Sequence, residues 1–408
     1  MELLYPRCAG LDVHKDSVVA RIRCVSEPLH DEVKTFATTT SALMELNEYL
    51  RQHGVTHVAM EATGVYWKPV WHMLEGDFEL VLANAQHIRN VPGRKTDVND
   101  ATWIAELLAH GLIRSSFVPP QPIQELRDLT RTRKQLVREI AQHALRVQKV
   151  LEDANLKLGS VLSDVMGKSG MAILRAIVAG QSNPEVLADL AQGNARKKRA
   201  ELVEALHGRI RDHHRKLLRV HLDLVGALKE AVEELDDQVG KSFASIREST
   251  RLLTTMPGIS EVTARAIVAD IGTDMTRFHS DAHLRSWACI CPRNDESAGK
   301  RRSTRVRKGG TWLKTALVSA AWAAVRVKGC YFQGQFQRLR ARRGPKKAIL
   351  AVASSMLTCA YHMLKNGVEY RDLGADHFAR RDREKIIQRL VRRINDLGCD
   401  VQLLPQAA

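Results

Sequence analysis

Four carboxylates stand where the local pattern gives them little structural reason to be. In the run Cys8–Val13, alternation puts Leu11 and Val13 on one face of a strand and Asp12 on the other. In the run Val55–Met60, Val58 and Met60 share a face and Glu61 follows at the C-terminal end, where open α/β sheets place their sites. Asp97 and Asp100 are three apart at the start of a helix that should run to about His110, so they share its face. A solvated edge strand accounts for Asp12 alone, and helix capping accounts for Asp97 alone. Neither accounts for the set. If the fold gathers these four acids they repel one another unless cations intervene, and hard oxygen donors suit Mg²⁺ or Mn²⁺. Two such ions about 4 Å apart stabilise the attacking and leaving oxygens of an in-line phosphoryl displacement.

A second constellation is cationic. Ser297 is followed by Lys300, Arg301, Arg302, Arg305, Arg307 and Lys308, and a further run comprises Arg338, Arg340, Arg342, Arg343, Lys346 and Lys347. A serine hydroxyl is a weak nucleophile that needs a base, a metal or a strong field. Adjacent cations can hold a phosphate and favour the alkoxide. The same spacing fits a plain phosphate-binding loop, and Ser303 is a competing hydroxyl. Trp287, Trp312, Trp322, Tyr331 and Phe332 interleave with these runs. They read as core at helical spacing or as platforms for bases.

The elements that must position these groups fall into distinct regions. Residues 7–110 alternate strand and helix: strands Cys8–Val13, Ser17–Val25 and Glu32–Thr38, a helix Ser41–His53, a strand Val55–Met60, a helix Tyr66–Glu75 and a strand Phe78–Ala83. The first strands are too close for helical crossovers, which predicts antiparallel hairpins beside a later parallel part, a mixed sheet. Pro119, Pro120 and Pro122 then break the chain. From Gln124 the pattern is helical, with Leu126, Leu129, Leu136, Ile140, Val147 and Leu151 on one stripe. His214–Val239 repeats it through Leu218, Leu222, Val225, Leu228, Val232, Leu235 and Val239, near a heptad seam. These two helices read as a coiled-coil arm, a dimerisation element or internal packing. Short helices follow from Arg251 to His377, with a turn at Met256–Ile259, and a charged helix Asp382–Leu397 closes the chain. The expected fold class is α/β plus all-α, divided at residues 1–115, 116–245, 246–378 and 379–408.

Charge separates the regions more sharply than composition does. Residues 1–110 hold 10 basic and 15 acidic side chains, net −5, so a total of +16 leaves +21 on the remainder. That asymmetry points to a polyanion held by one part and a metal-dependent site in the other. The seven cysteines are scattered, and Cys289 and Cys291 form C-x-C rather than the C-x-x-C of a zinc knuckle, which predicts reduced core thiols. The first residues are charged and lack an apolar signal core, and no run reaches roughly 18 uncharged residues. The expectation is a cytoplasmic protein with no membrane partner.

Three blocks together carry a family resemblance: Gly10–Lys15 (GLDVHK), Met60–Trp67 (MEATGVYW) and Gly93–Ala101 (GRKTDVNDA). Their order resembles the DEDD transposases of the IS110 insertion-sequence family. The resemblance continues in Pro292–Gly299, PRNDESAG, similar to the family's P-R-x-x-E-S-G signature, with Ala298 inserted between Ser297 and Gly299. Met256–Ile259 with Ser260–Ala269 looks like a helix-hairpin-helix element. The resemblance implies an RNase H-like, RuvC-like domain to about residue 115, a coiled-coil middle, and an α-helical serine-bearing domain. It implies that Asp12, Glu61, Asp97 and Asp100 bind divalent metal and that Ser297 attacks the strand. It also implies DNA partners, a structured non-coding guide RNA, and a dimer assembling to a tetramer with a composite site. Two other readings stay open: a RuvC-type nuclease that uses water, and a non-catalytic nucleic-acid-binding relative.

Overall fold

The computed structural model describes residues 3–25, 30–62, 64–84, 88, 100–242, 246–292, 295–297, 299–303, 305–307, 309–381 and 383–400. The chain forms two compact units, Met1–Val118 and Pro119–Ala408.

The first unit is built on strands β1 (Arg7–Val13), β2 (Ser17–Cys24), β3 (His30–Ala37), β4 (His57–Glu61) and β5 (Glu79–Ala83), with helices α1 (Thr40–Gln52), α2 (Trp67–Leu74) and α3 (Asp100–Ala109). The sheet order is β3-β2-β1-β4-β5. β1 and β3 run antiparallel to β2, whereas β1, β4 and β5 run parallel. The mixed sheet expected from the short early connections is therefore present. Period-two alternation sorts its two faces. Leu11, Val13, Val58 and Met60 pack with Leu43, Leu46, Leu50, Val70 and Leu74 of α1 and α2. Cys8, Ala59 and Ala83 pack on the other face with Ile104, Leu107 and Leu108 of α3. Small residues on that second face let α3 approach closely. A Cβ on Gly10 would lie 2.3 Å from the Ala101 carbonyl oxygen and 2.4 Å from the Ala105 nitrogen. Only glycine permits that contact.

The second unit begins with α4 (Gln121–Asp153). Pro122 does not break the chain: it lies in the first turn of α4, where a missing N–H costs nothing. α4 is antiparallel to α9 (Asp212–Ser242), and polar pairs mark the alignment along their length. Arg133 makes a bidentate pair with Asp236 at 2.6 and 2.8 Å, His143 meets His221 at 3.1 Å, and His214 meets Asp153 at 2.8 Å. Between the long helices, α5 (Leu158–Val161), α6 (Lys168–Val178), α7 (Pro184–Asp189) and α8 (Arg199–Ala205) fold into a cap whose core includes Ile173, Leu174, Leu187 and Leu202. Val147, Leu151, Leu218 and Leu222 of the long helices belong to that core. Leu136, Ile140, Leu228 and Val232 farther along are half-buried.

The remainder comprises α10 (Arg247–Thr254), α11 (Glu261–Ile271), α12 (Asp281–Trp287), β6 (Asp295–Ser297), β7 (Lys300–Ser303), α13 (Thr311–Ala324), α14 (Tyr331–Arg343), α15 (Pro345–Asn366), α16 (His377–Arg381) and α17 (Arg383–Asn395). The wholly helical expectation needs correction, because β6 and β7 pair as an antiparallel hairpin. Three- and four-residue strands are too short to show an alternation, and arginines dominate the second. α15 is long and apolar enough to cross a membrane by length and composition. Its apolar residues instead supply a core, with Ile349, Val352, Met356, Leu357 and Tyr361 buried. Gly258, in the turn between α10 and α11, has φ +83° and would place a Cβ 2.4 Å from the Ala320 carbonyl oxygen of α13. Close helix packing thus accounts for that glycine.

Candidate active site

Register places Asp12 and Glu61 side by side. The parallel pairing of β1 with β4 aligns Leu11 with Met60, so the next residue of each strand is Asp12 and Glu61. Adjacent strands are about 4.8 Å apart. Asp12 lies two residues beyond Gly10 on the same face, and Gly10 touches Ala101 and Ala105 of α3. Asp100, the first residue of α3, is thereby carried to the same end of that face. Asp97 lies outside the described residues.

The electrostatics agree with this placement. The Asp12 side chain is 19 % exposed, and burial holds its carboxyl above the usual range. His14, with Nε2 3.1 Å from the Asp12 carboxylate, opposes that shift, and the negative charge of Asp100 adds to it. A buried carboxylate facing a second carboxylate favours a cation between them. The donors are hard oxygens, the ligand type that suits a divalent ion of the Mg²⁺ or Mn²⁺ class. His14 was not among the site residues expected from sequence. Its position two residues beyond Asp12 was the available signal.

Another acid–histidine group, Asp153 with His213 and His214, has ligand atoms within 4.8 Å of one another. It does not serve a metal as arranged. His214 Nδ1 accepts from the Arg211 amide at 3.1 Å, so Nε2 carries the proton and donates to Asp153. Both ring nitrogens are used in securing the start of α9. The cysteines are all free, and Cys8, Cys24 and Cys330 are buried.

The serine lies at a hairpin tip. Ser297 ends β6 and Lys300 begins β7 as its register partner, with Gly299 at φ +73° in the turn between them. The side chains of Ser297, Arg301 and Arg302, and all of Lys308, lie outside the described part. Ser303 is half-buried, and its Oγ accepts from the Arg305 amide at 3.2 Å. Pro292 and Val306 extend the hairpin by one bridge. Beside that bridge runs a groove of about 1000 Å³ with an apolar floor that includes Ile290, Leu350 and Ala351. Arg285, Arg305, Arg343 and Lys347 also line it, and no carboxylate does so among the described residues.

The other expected cations divide by environment. Lys300, Arg307, Arg340, Arg342 and Lys346 are exposed. Arg338 is half-buried and lies over the Phe378 ring at 5.0 Å. The aromatics divide likewise: Phe332 is fully buried, and Trp287 and Trp322 meet Phe278 and Phe336 edge-on. Trp312 instead faces three cations of the long helix α4, Arg131, Lys134 and Arg138. Their spacing of three and four along α4 was visible, but the partner ring is distant in sequence.

Residues 9–155 match a DEDD-type model described as a transposase, and residues 250–337 match the transposase model of the IS116/IS110/IS902 family. The chain belongs to the IS110 transposase family. No curated protein matches it. The first match spans most of β1 and the whole of β4, α3 and α4, and so contains all four acids. The second spans the serine hairpin and α13. The four acids and the serine hairpin of this transposase thus fall within family-matched segments, the run Arg338–Lys347 lies just beyond the second, and DNA transposition is the activity the family carries.

Proposed function

We propose that this transposase cuts and rejoins DNA strands with a divalent-metal carboxylate centre in an RNase H-like first unit and with Ser297 as nucleophile. What supports the reading is that Asp12 and Glu61 follow the aligned Leu11–Met60 pair of β1 and β4, while Asp100 starts a helix seated on Gly10 and its charge acts on Asp12. Asp97 completes the proposed ligand set. When bound, Mg²⁺ or Mn²⁺ supplies charge stabilisation to the oxygens of the reacting phosphate. Asp12 and Glu61 hold that position from a rigid sheet, and His14 fixes the Asp12 carboxylate.

In the proposed step the Ser297 Oγ–P bond forms as one P–O bond of the strand breaks. The hydroxyl proton leaves the serine and the departing strand oxygen takes one up. Because one phosphoester replaces another, a hydroxyl of a second strand can reverse the exchange and release the serine. Lys300, Arg301, Arg302, Arg305, Arg307 and Lys308 grip the flanking backbone, with Arg338, Arg340, Arg342, Arg343, Lys346 and Lys347 alongside. The long helices α4 and α9 serve as a coiled-coil dimerisation arm, and dimers pair as a tetramer around DNA and a structured guide RNA. The domain divisions at residues 115, 245 and 378 belong to the same reading. Trapping a covalent adduct on a nicked DNA substrate, and mapping it by mass spectrometry, tests the proposal. An adduct on Ser303, or cleavage without an adduct, replaces it with a shifted motif or with the water-using nuclease.

A further inference from the structure

Three cations converge on one indole in the second unit. The Trp312 ring centre lies 5.6 Å from Arg131 Cζ, 5.4 Å from Lys134 Nζ and 5.3 Å from Arg138 Cζ. The three come from a single face of α4, spaced by three and four residues, and Trp312 comes from the first turn of α13. Such crowding is unfavourable without an anion. Each cation–ring contact is only weakly attractive, and like charges repel one another. Burial and the neighbouring Arg138 together push the Lys134 ammonium below its usual range.

Among the described residues the carboxylate that acts on Lys134 is Asp270, and it is already engaged. Asp270, 6 % exposed at the end of α11, accepts from Arg131 at 2.7 Å. Arg127 lies 3.7 Å from the same oxygen while donating to the Ala269 and Asp270 carbonyls at 3.0 and 2.8 Å. Lys134 and Arg138 form no ion pair with a carboxylate among the described residues. The ring cannot neutralise them, and hydrophobic packing does not require charged tips around a tryptophan. α13 also starts at Gly310 without a side-chain cap, which leaves its first amides facing the same neighbourhood.

We propose that Lys134 and Arg138, held on Trp312, form a binding site for a backbone phosphate of a nucleic-acid strand. Arg131 is then a positioning residue that ties α4 to Asp270, and Trp312 spaces the two free cations. The inference rests on the nucleic-acid reading above and deepens it. It makes α4 a phosphate contact as well as a proposed dimerisation helix, and it adds residues outside the basic runs of 300–308 and 338–347. A phosphodiester of DNA and one of RNA present the same chemistry to this site.

The test measures binding of the full-length protein to a fluorescent 40-base-pair DNA and to a structured RNA of similar length, across a salt series. Each phosphate contact contributes about 0.9 to the slope of log K against log salt on duplex DNA. Lys134→Gln with Arg138→Gln should lower that slope by about 1–2 on at least one of the two probes. The probe affected identifies the source of the phosphate. Lys134→Arg with Arg138→Lys should retain the slope. Lys197→Gln with Lys198→Gln removes equal charge from the exposed cap helices and should leave it unchanged. An unchanged slope in the first variant on both probes overturns the inference, as does an equal loss in the cap control, which would show net charge alone at work. If the wild type binds neither probe, the nucleic-acid reading itself fails, and this inference with it. Helical circular dichroism on each variant separates loss of binding from loss of fold.

Discussion

The acidic first unit and the basic serine-bearing region position their chemistry by opposite means. Asp12 and Glu61 project from adjacent parallel strands whose register is set by two buried faces, so a one-residue slip would turn every core side chain outward. Ser297 ends a three-residue strand in a hairpin, next to a groove bounded by helices α12, α14 and α15. The charge follows the same division, net −5 over residues 1–110 against +21 beyond. A metal centre needs ligands fixed to fractions of an ångström, which a sheet provides. On the proposed reading, a nucleophile that attacks, stays attached and is released needs a support that tolerates substrate movement, which a hairpin provides.

The sharpest way to break this comparison is to remove each chemistry separately. Ser297→Ala should abolish covalent adduct and strand exchange while leaving nucleic-acid affinity nearly unchanged, because a neutral hydroxyl adds little beside arginines. Asp12→Asn or Glu61→Gln should also remove cleavage, by more than about a hundredfold, since loss of metal charge stabilisation costs several kcal/mol. Gel assays for adduct and product resolve the two. If Ser297→Ala still recombines DNA, the hairpin is only a phosphate-binding loop.

Gly10→Ala tests whether the sheet positions the acids. Its new methyl would meet backbone atoms of α3 at 2.3–2.4 Å, which must shift. Overpacking of this kind costs about 1–3 kcal/mol. Urea denaturation should show that loss together with reduced cleavage, because Asp100 moves with α3. Unchanged stability and activity would mean that α3 does not set the site.

Divalent ions should stabilise the acidic unit selectively. At a hundredfold excess over Kd the linkage amounts to about 2.7 kcal/mol, visible as a raised melting temperature with Mn²⁺ or Mg²⁺. Asp12→Asn should lose that response while melting no lower than the wild type without metal, because burial already disfavours its charge. An equal metal response in the variant would remove Asp12 from the ligand set.

The smallest effect concerns the helical arm. Burial, His143 and Arg146 all push the His221 imidazole below its ordinary range. On acidification the unfolded chain therefore takes up this proton first, near pH 6.5, so the stability of the α4–α9 pair should fall from pH 7.5 to 5.5. His221→Leu should flatten that dependence in thermal melts. A profile as steep as the wild type's would place the acid sensitivity elsewhere.

Local pattern alone was enough to draw the first unit. Alternation separated Asp12 from Leu11 and Val13, the short connections implied a mixed sheet, and the strand-end position singled out Glu61. These features repeat every two residues or follow from chain length, so they survive without tertiary knowledge. The two long amphipathic helices are legible for the same reason, although Pro122 opens a helix where Pro119 begins the second unit, because a proline that starts a helix and one that stops it look alike in sequence. Tertiary structure decided the rest. The hairpin bearing Ser297 is too short for a periodic signal, Arg338 meets the ring of Phe378, and the helix 345–366 is apolar because its apolar residues supply a core. His14 against Asp12, and Trp312 under cations more than 170 positions earlier, are meetings between side chains whose individual types give no notice of them. Periodicity reports which face of an element is buried; only the packed chain reports what that face meets.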